Sequence, residues 1–227
     1  YDGWLLNKVE LNVRRAPGNT CLSALSSRKQ GSINNPINNS KGCGGIMRVA
    51  PAGLYYEKEK AFVMGAEFAA ITHGHPSGYL SAGAFAFLIA SLIEGNEIEL
   101  AINETIAELI NYDNHKECSD ILVKALELAK SNVSDEEAIS ELGEGWVGEE
   151  ALGISVYFSL KYSNDFEKGL IASVNHDGDS DSTGSITGNI LGAYLGLGKI
   201  PMKWMESVEL KDVLLRLANE LLNKSSN

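Results

Sequence analysis

Apolar residues recur at helical spacing, not in strand-like alternation, through almost all of the 227 residues. Residues 1–13 read as a short helix, broken by Arg15-Ala16-Pro17-Gly18-Asn19, with Asn19 placed to cap the next helix, Thr20–Ser27. A polar loop rich in Asn, Gly and Ser fills 28–45, and a loop that long in a compact domain is usually functional or disordered. Helix Lys58–Thr72 follows, with Phe62, Val63, Ala66, Ala69 and Ile71 roughly on one face. Pro76 suits a first helical turn, and Ser77–Ile93 is apolar nearly all round, which predicts the buried centre of the fold. Amphipathic stripes then run through Glu97–Ile110 (Ile98, Ile102, Ile106, Leu109) and Ser119–Ala129 (Leu122, Ala125, Leu126, Ala129). Ser134 opens a capping box with Glu137. Glu149–Lys161, Asp165–Val174, a segment ending near Leu197, and Val208–Leu222 with its Leu210, Leu214, Leu217 and Leu221 stripe complete the helices.

No strand-length alternation and no internal repeat stand out, so the predicted class is all-α, with orthogonally packed helices fitting the many short segments better than a regular bundle. Gly184, Gly188, Gly192 and Gly196 recur every four residues in the penultimate long helix. Each costs about 1 kcal/mol relative to Ala, so the stripe predicts another helix backbone crossing very close. The length suits one domain.

Charge narrows the function. Thirty acidic residues against 19 basic ones leave a net charge of -11, which disfavours nucleic acid and an anionic membrane surface. The apolar run near Ala82–Ile93 reads as too short and too rich in Ala and Ser for a bilayer span. Three cysteines, odd in number and without a C-x-x-C pair, argue against a disulfide framework or zinc site and suit a reducing cytosol.

The most pointed chemistry is Asp177-Gly-Asp179-Ser-Asp181-Ser182-Thr183. Three alternating carboxylates repel one another unless a cation lies between them, and hard oxygens suit Mg²⁺, Mn²⁺ or Ca²⁺. An EF-hand fails at two defining positions, Ser182 and Gly188. An N-capped helix start with a solvated acidic turn remains the plain alternative. Ser40-Lys41-Gly42-Cys43-Gly44-Gly45-Ile46-Met47-Arg48 ends the long loop at a helix start, where free N–H groups can take phosphate. It matches neither phosphate-loop consensus, and an ordinary flexible loop is the plain reading. His73 and His75 suggest capping and turn chemistry, and His176 stands beside the acidic loop. A nucleophilic role for Cys43 has no support beyond its position.

Taken together, Asp177–Gly188 with Asn189–Gly196, Ser40–Arg48 continuing through Val49-Ala50-Pro51, Thr72-His73, Arg15–Thr20 and Gly145-Trp146-Val147-Gly148-Glu149-Glu150-Ala151 resemble the ADP-ribosylglycohydrolase family, relatives of dinitrogenase reductase-activating glycohydrolase. The resemblance implies an orthogonal all-α domain spanning 1–227 and two Mg²⁺ ions, with Mn²⁺ as an alternative. It maps the metal ligands of the C-terminal motif onto Asp179, Asp181 and Ser182. It also implies that Ser40, Gly42, Gly44 and Gly45 cradle a diphosphate, with His73 near the ligand. The implied partner is ADP-ribose or an ADP-ribosylated protein. The implied reaction is hydrolysis of the glycosidic bond between them, with the arginine-linked branch favoured. The family's N-terminal Thr-Asp-Asp motif and upstream Glu occur nowhere in the 227 residues, so the chain is expected to lack the family's N-terminal helices, and its catalytic carboxylates stay unassigned. The competing readings are an inactive ADP-ribose binder or immunity-type relative, and a purely structural protein on the same fold.

Overall fold

A computed structural model describes residues 16–225, and the expected helix 1–13 lies outside them. Twelve α-helices follow in order, with no strand among the described residues and two isolated bridges, Ser32 with Asn35 and Gly42 with Val147.

The first is α1 (Asn19–Ser26), whose N-cap is Gly18 and not Asn19, with no side-chain cap bond. Residues 27–45 form the expected loop, and a 3-10 turn at Ile46–Arg48 leads into α2 (Ala50–Tyr55), which carries Pro51 in its first turn. Next come α3 (Lys58–Ala70) and α4 (Pro76–Ile93). His75 caps the start of α4 through its side chain, which accepts the Ser77 N–H, and Pro76 sits where its missing N–H costs nothing. By length and composition α4 would pass for a bilayer span. It is instead the core helix, with 83% of it buried and Phe85, Leu88 and Ile89 sealed inside. Glycines let its neighbours approach: a Cβ on Gly53 would stand 2.3 Å from the Ala86 carbonyl, and one on Gly65 2.7 Å from the Ala86 Cβ.

The chain continues through α5 (Ile98–Leu109), α6 (Lys116–Lys130), α7 (Asp135–Leu142) and α8 (Gly148–Lys161). Ile98, Ile102 and Leu109 of α5 and Leu122, Ala125 and Leu126 of α6 are buried as their spacing predicts. Ser134 and Glu137 form the predicted reciprocal capping box of α7. Helix α8 crosses α4 and carries Tyr157 and Phe158, both fully buried, so α4 and α8 together form the centre of the fold. The last four helices are α9 (Phe166–Val174), α10 (Ser180–Leu195), α11 (Met202–Ser207) and α12 (Lys211–Ser225). Helix α12 lies at the periphery against α2, leaving Leu214 and Leu222 exposed.

Two further expectations need correction. Val63 and Ile71 belong to the apolar pattern of α3 but face solvent, because the buried side of that helix is lined by Phe62, Ala66 and Ala69. The glycine stripe of α10 does not meet a helix backbone. It receives the side chains of α9: a Cβ on Gly184 would stand 2.4 Å from Val174 Cγ1, one on Gly188 3.5 Å from Leu170 Cδ1, and one on Gly192 3.9 Å from Phe166 Cε2. Gly196 leaves the stripe to end the helix at φ +77.

Candidate active site

The acidic loop is pinned from below by its own histidine. His176 Nδ1 accepts the Gly178 N–H at 3.1 Å, so Nε2 carries the proton and donates to Thr183 Oγ1 at 2.8 Å. Burial holds this imidazole below its usual pKa, and the neutral form is the one the two bonds require. The Asp179 N–H donates to Glu144 O at 2.8 Å. Gly178 lies so near that strand of backbone that a Cβ would stand 2.0 Å from Glu144 O. Asp179 is the N-cap position of α10, yet its side chain makes no cap bond.

That side chain points into the site. Asp179 is buried, and its Oδ2 accepts Ser182 Oγ–H at 2.9 Å and Cys43 Sγ–H at 2.6 Å. Ser182 Oγ also lies 3.0 Å from Met47 Sδ and 3.3 Å from Cys43 Sγ. Asp181 is more exposed, and its carboxyl is raised above the ordinary range, first by its hydrogen bond to Asp179 and then by burial and the Asp179 charge. Two carboxylates close enough to share a proton are a hard-oxygen pair suited to a divalent cation. Among the described residues no group of three or more His, Cys, Asp or Glu side chains forms a metal cluster.

The Gly loop reaches the same corner from 136 residues away in sequence. Asn38 fastens its start, with Oδ1 accepting Ser40 N–H and Gly74 N–H and Nδ2 donating to Thr72 O at 2.8 Å. Ser40 Oγ pairs with Thr20 Oγ1 at 3.0 Å and accepts the Gly42 N–H at 3.3 Å. Cys43 O then takes the N–H groups of Ile46 and Met47, which winds the loop into the 3-10 turn. The amides of Gly44 and Gly45 make no hydrogen bond within the described residues, and such paired free donors at a helical start suit an anion.

His73 lies under this loop and not on its open face. It is 1% exposed, and Cβ atoms built on Gly42, Gly44 and Gly45 would stand 3.6, 3.5 and 3.3 Å from its ring. Nδ1 pairs with Thr72 Oγ1 at 2.8 Å, and that hydroxyl also accepts from Arg48 Nη2 at 2.6 Å. Burial, with the Arg48 charge second, lowers the His73 pKa to about 4, so the ring is neutral and supports the loop by packing.

Sequence reasoning left Cys43 and Met47 outside the site, although both lie in the Gly-loop string. Burial and the bond to Asp179 push the Cys43 thiol up to about 12, which makes it a hydrogen-bond donor and not a nucleophile. A groove of 880 Å³ lies on the far side of the acidic loop, lined by Asp135, Glu136, Gly143, Glu144, His176 and Asp177. It includes neither Asp179 nor any Gly-loop residue.

The family model described as ADP-ribosylglycohydrolase matches residues 1–227. The chain is 26% identical over 216 residues to the ADP-ribosylhydrolase ARH3 of Homo sapiens, covering 82% of this chain and 60% of that protein. It is 24% identical over 215 residues to the ADP-ribosylarginine hydrolase Tri1 of Serratia proteamaculans, covering 90% of this chain and 53% of that one. A solved structure, an ADP-ribosylglycohydrolase-related protein complex, has the same fold at a TM-score of 0.70 and 24% identity over 92% of this chain and 69% of its own. The chain thus spans between half and two thirds of the length of these two curated relatives.

Proposed function

Because this chain belongs to the ADP-ribosylglycohydrolase family, we propose that it serves in the hydrolysis of the glycosidic bond joining ADP-ribose to a protein side chain, with Mg²⁺ as the cation and arginine as the linked residue. The observation that carries the reading is the meeting of two distant motifs, the free amides of the Gly loop and the Asp179–Asp181 carboxylates, joined through the bond from Cys43 to Asp179. Asp179, Asp181 and Ser182 would hold the cation. Bound there, Mg²⁺ would offset the two carboxylates and the diphosphate and supply Lewis acidity toward the ribose hydroxyls and water. Ser40, Gly42, Gly44 and Gly45 orient the diphosphate, with His73 holding the loop from beneath. The arginine linkage takes its support from the name of the Serratia relative, an ADP-ribosylarginine hydrolase. Three free cysteines suit a reducing cytosol as the place of action.

A second reading has its own support. With no metal cluster of three or more groups among the described residues, the chain is also fitted to bind ADP-ribose without cleaving it. Calorimetric titration with ADP-ribose, with and without excess Mg²⁺, joined to an assay on arginine-linked and hydroxyl-linked ADP-ribosyl peptides, separates these readings. Mg²⁺-dependent binding with release from the arginine peptide supports the enzyme. Binding without release supports the binder. No binding under either condition removes both.

A further inference from the structure

Gly145–Ala151 takes no part in the chemistry above, yet with Glu144 it runs between the two halves of the site and is bonded to each. Toward the Gly loop, Gly148 N–H donates to Lys41 O at 2.8 Å and Cys43 N–H donates to Trp146 O at 3.2 Å, which pairs Gly42 with Val147. Toward the acidic loop, Glu144 O accepts the Asp179 N–H at 2.8 Å and touches Gly178.

Two consecutive carboxylates fasten this segment in opposite directions. Glu149 is 5% exposed and takes the Lys41 ammonium of the Gly loop. Lys41 also reaches Glu117 Oε2 at 2.9 Å, and that oxygen accepts Ser77 Oγ–H. Burial would lower the Lys41 pKa, but its bonds and charges from Glu149 and Glu117 outweigh this and hold it well above the lysine range. The other oxygen of Glu149, Oε2, is buried without a hydrogen-bond partner among the described residues, and burial raises its carboxyl despite Lys41. An ion pair that leaves a buried oxygen unsatisfied is a poor device for stability, and fixing a geometry is its better-attested use. Glu150 turns the other way: its Oε2 accepts both Glu144 N–H and Gly145 N–H at 3.1 Å, closing the turn whose carbonyl holds Asp179.

We propose that Glu149 and Glu150 are positioning residues that set the two halves of the site separately. Glu149 acts through Lys41 on the diphosphate cradle, and Glu150 acts through Glu144 and Gly145 on the acidic corner. The ligand names rest on the proposed function, whereas the positioning claim can be tested without any ligand.

The full 227-residue chain and its E149A, E149Q, E150A and E150Q variants would be compared by amide hydrogen exchange, by calorimetry with ADP in saturating Mg²⁺, and by paramagnetic titration with Mn²⁺ alone. In E149A the protection of the Cys43 and Gly148 amides should fall about tenfold, with ADP affinity falling by a similar factor. Its Asp179 amide and Mn²⁺ affinity should stay at wild-type values. In E150A the pattern should reverse. E149Q keeps an acceptor for Lys41 and should recover part of the cradle's protection. The near-isosteric Gln variants carry the test if an Ala variant does not fold. Equal losses at both loops, or no loss at either, overturn the proposal. If the wild type binds neither ADP nor Mn²⁺, the functional reading falls, while the exchange pattern still decides the positioning claim.

Discussion

The two halves of the site are held in opposite ways. In the Gly loop the side chains serve the backbone: Asn38, Ser40 and the buried His73 hold it in place, and two amides are left over for a ligand. In the acidic loop the fixed turn serves the carboxylates: Glu144 O and the His176 ring hold it, while Asp179 and Asp181 are brought close enough to repel. The cradle is finished, its Lys41 charge already met by Glu149 and Glu117, which lowers the ordering cost of binding. The acidic corner carries an electrostatic cost that a cation would remove. The difference teaches that nucleotide affinity should depend on shape in one half and on counter-charge in the other.

The largest test of that contrast is removal of the counter-charge site. Asp179→Ala with Asp181→Ala should weaken Mg²⁺-dependent ADP-ribose binding by at least about 100-fold, roughly 2.7 kcal/mol, read by calorimetry. Asp181→Asn alone should act with opposite sign according to the cation. Because Asp179 raises the Asp181 carboxyl, the charged form is disfavoured by folding, so without divalent ion the variant should melt higher than wild type. With excess Mg²⁺ the wild type should gain stability that the variant does not. Unchanged ligand affinity in the double variant would remove the metal assignment.

The second test is a purely steric break. Gly178→Ala would put a Cβ 2.0 Å from Glu144 O, a backbone atom that the Asp179 N–H also uses. Overpacking against backbone should cost about 3 kcal/mol in denaturant unfolding. It should also uncouple the acidic corner from the Gly loop, since Glu144 belongs to the segment bonded to both. A variant as stable as wild type would show that the turn can open without cost.

How legible this was in the sequence depended on range. Helix α4 was plain because it is apolar all round, and α5 and α6 because their stripes run for three turns or more. The six-residue helices α2 and α11 are too short to show a period: α2 was legible only as a helix opening after the Gly loop, and α11 was not foreseen. The stripe in α10 was readable as spacing, but what fills it was not, since glycine records only that something is close. Both candidate strings, Ser40–Arg48 and Asp177–Thr183, stood out locally. Their meeting at Cys43 and Asp179, the Glu144–Glu150 segment between them and the burial of His73 are tertiary facts with no local signature. An exposed His73 and a buried one look the same in one sequence.

The third test bears on the cradle and needs no ligand. His73 titrates near 4 in the folded chain against an ordinary 6.5, because its burial disfavours the charge. Unfolding therefore takes up a proton as pH falls below 6.5. The stability that neutral His73 contributes is complete above that value and is lost as pH drops toward 4. The full difference is about 3 kcal/mol at ~1.4 kcal/mol per pKa unit. His73→Gln should lack this component, so the stability gap between wild type and variant should narrow between pH 7 and 4.5 in urea titrations. A gap independent of pH would mean that the ring is already charged or already solvated.

The smallest expected effect lies beneath the acidic corner, where α9 meets the start of α10. A Cβ on Gly184 would stand 2.4 Å from Val174 Cγ1, so Gly184→Ala should cost about 1–2 kcal/mol. Val174 is half-exposed, and its truncation to Ala alone should cost little. Made together, the two should nearly cancel, giving a favourable coupling of about 1 kcal/mol in a double-mutant cycle. Because the same first turn of α10 carries Asp181 and Ser182, the cycle also asks whether the acidic corner takes its position from the helix packing below or from Glu144 above. If Mn²⁺ affinity follows the stability of these variants, the packing sets the corner. If affinity is unchanged while stability falls and recovers, the corner is set by the turn at Glu144.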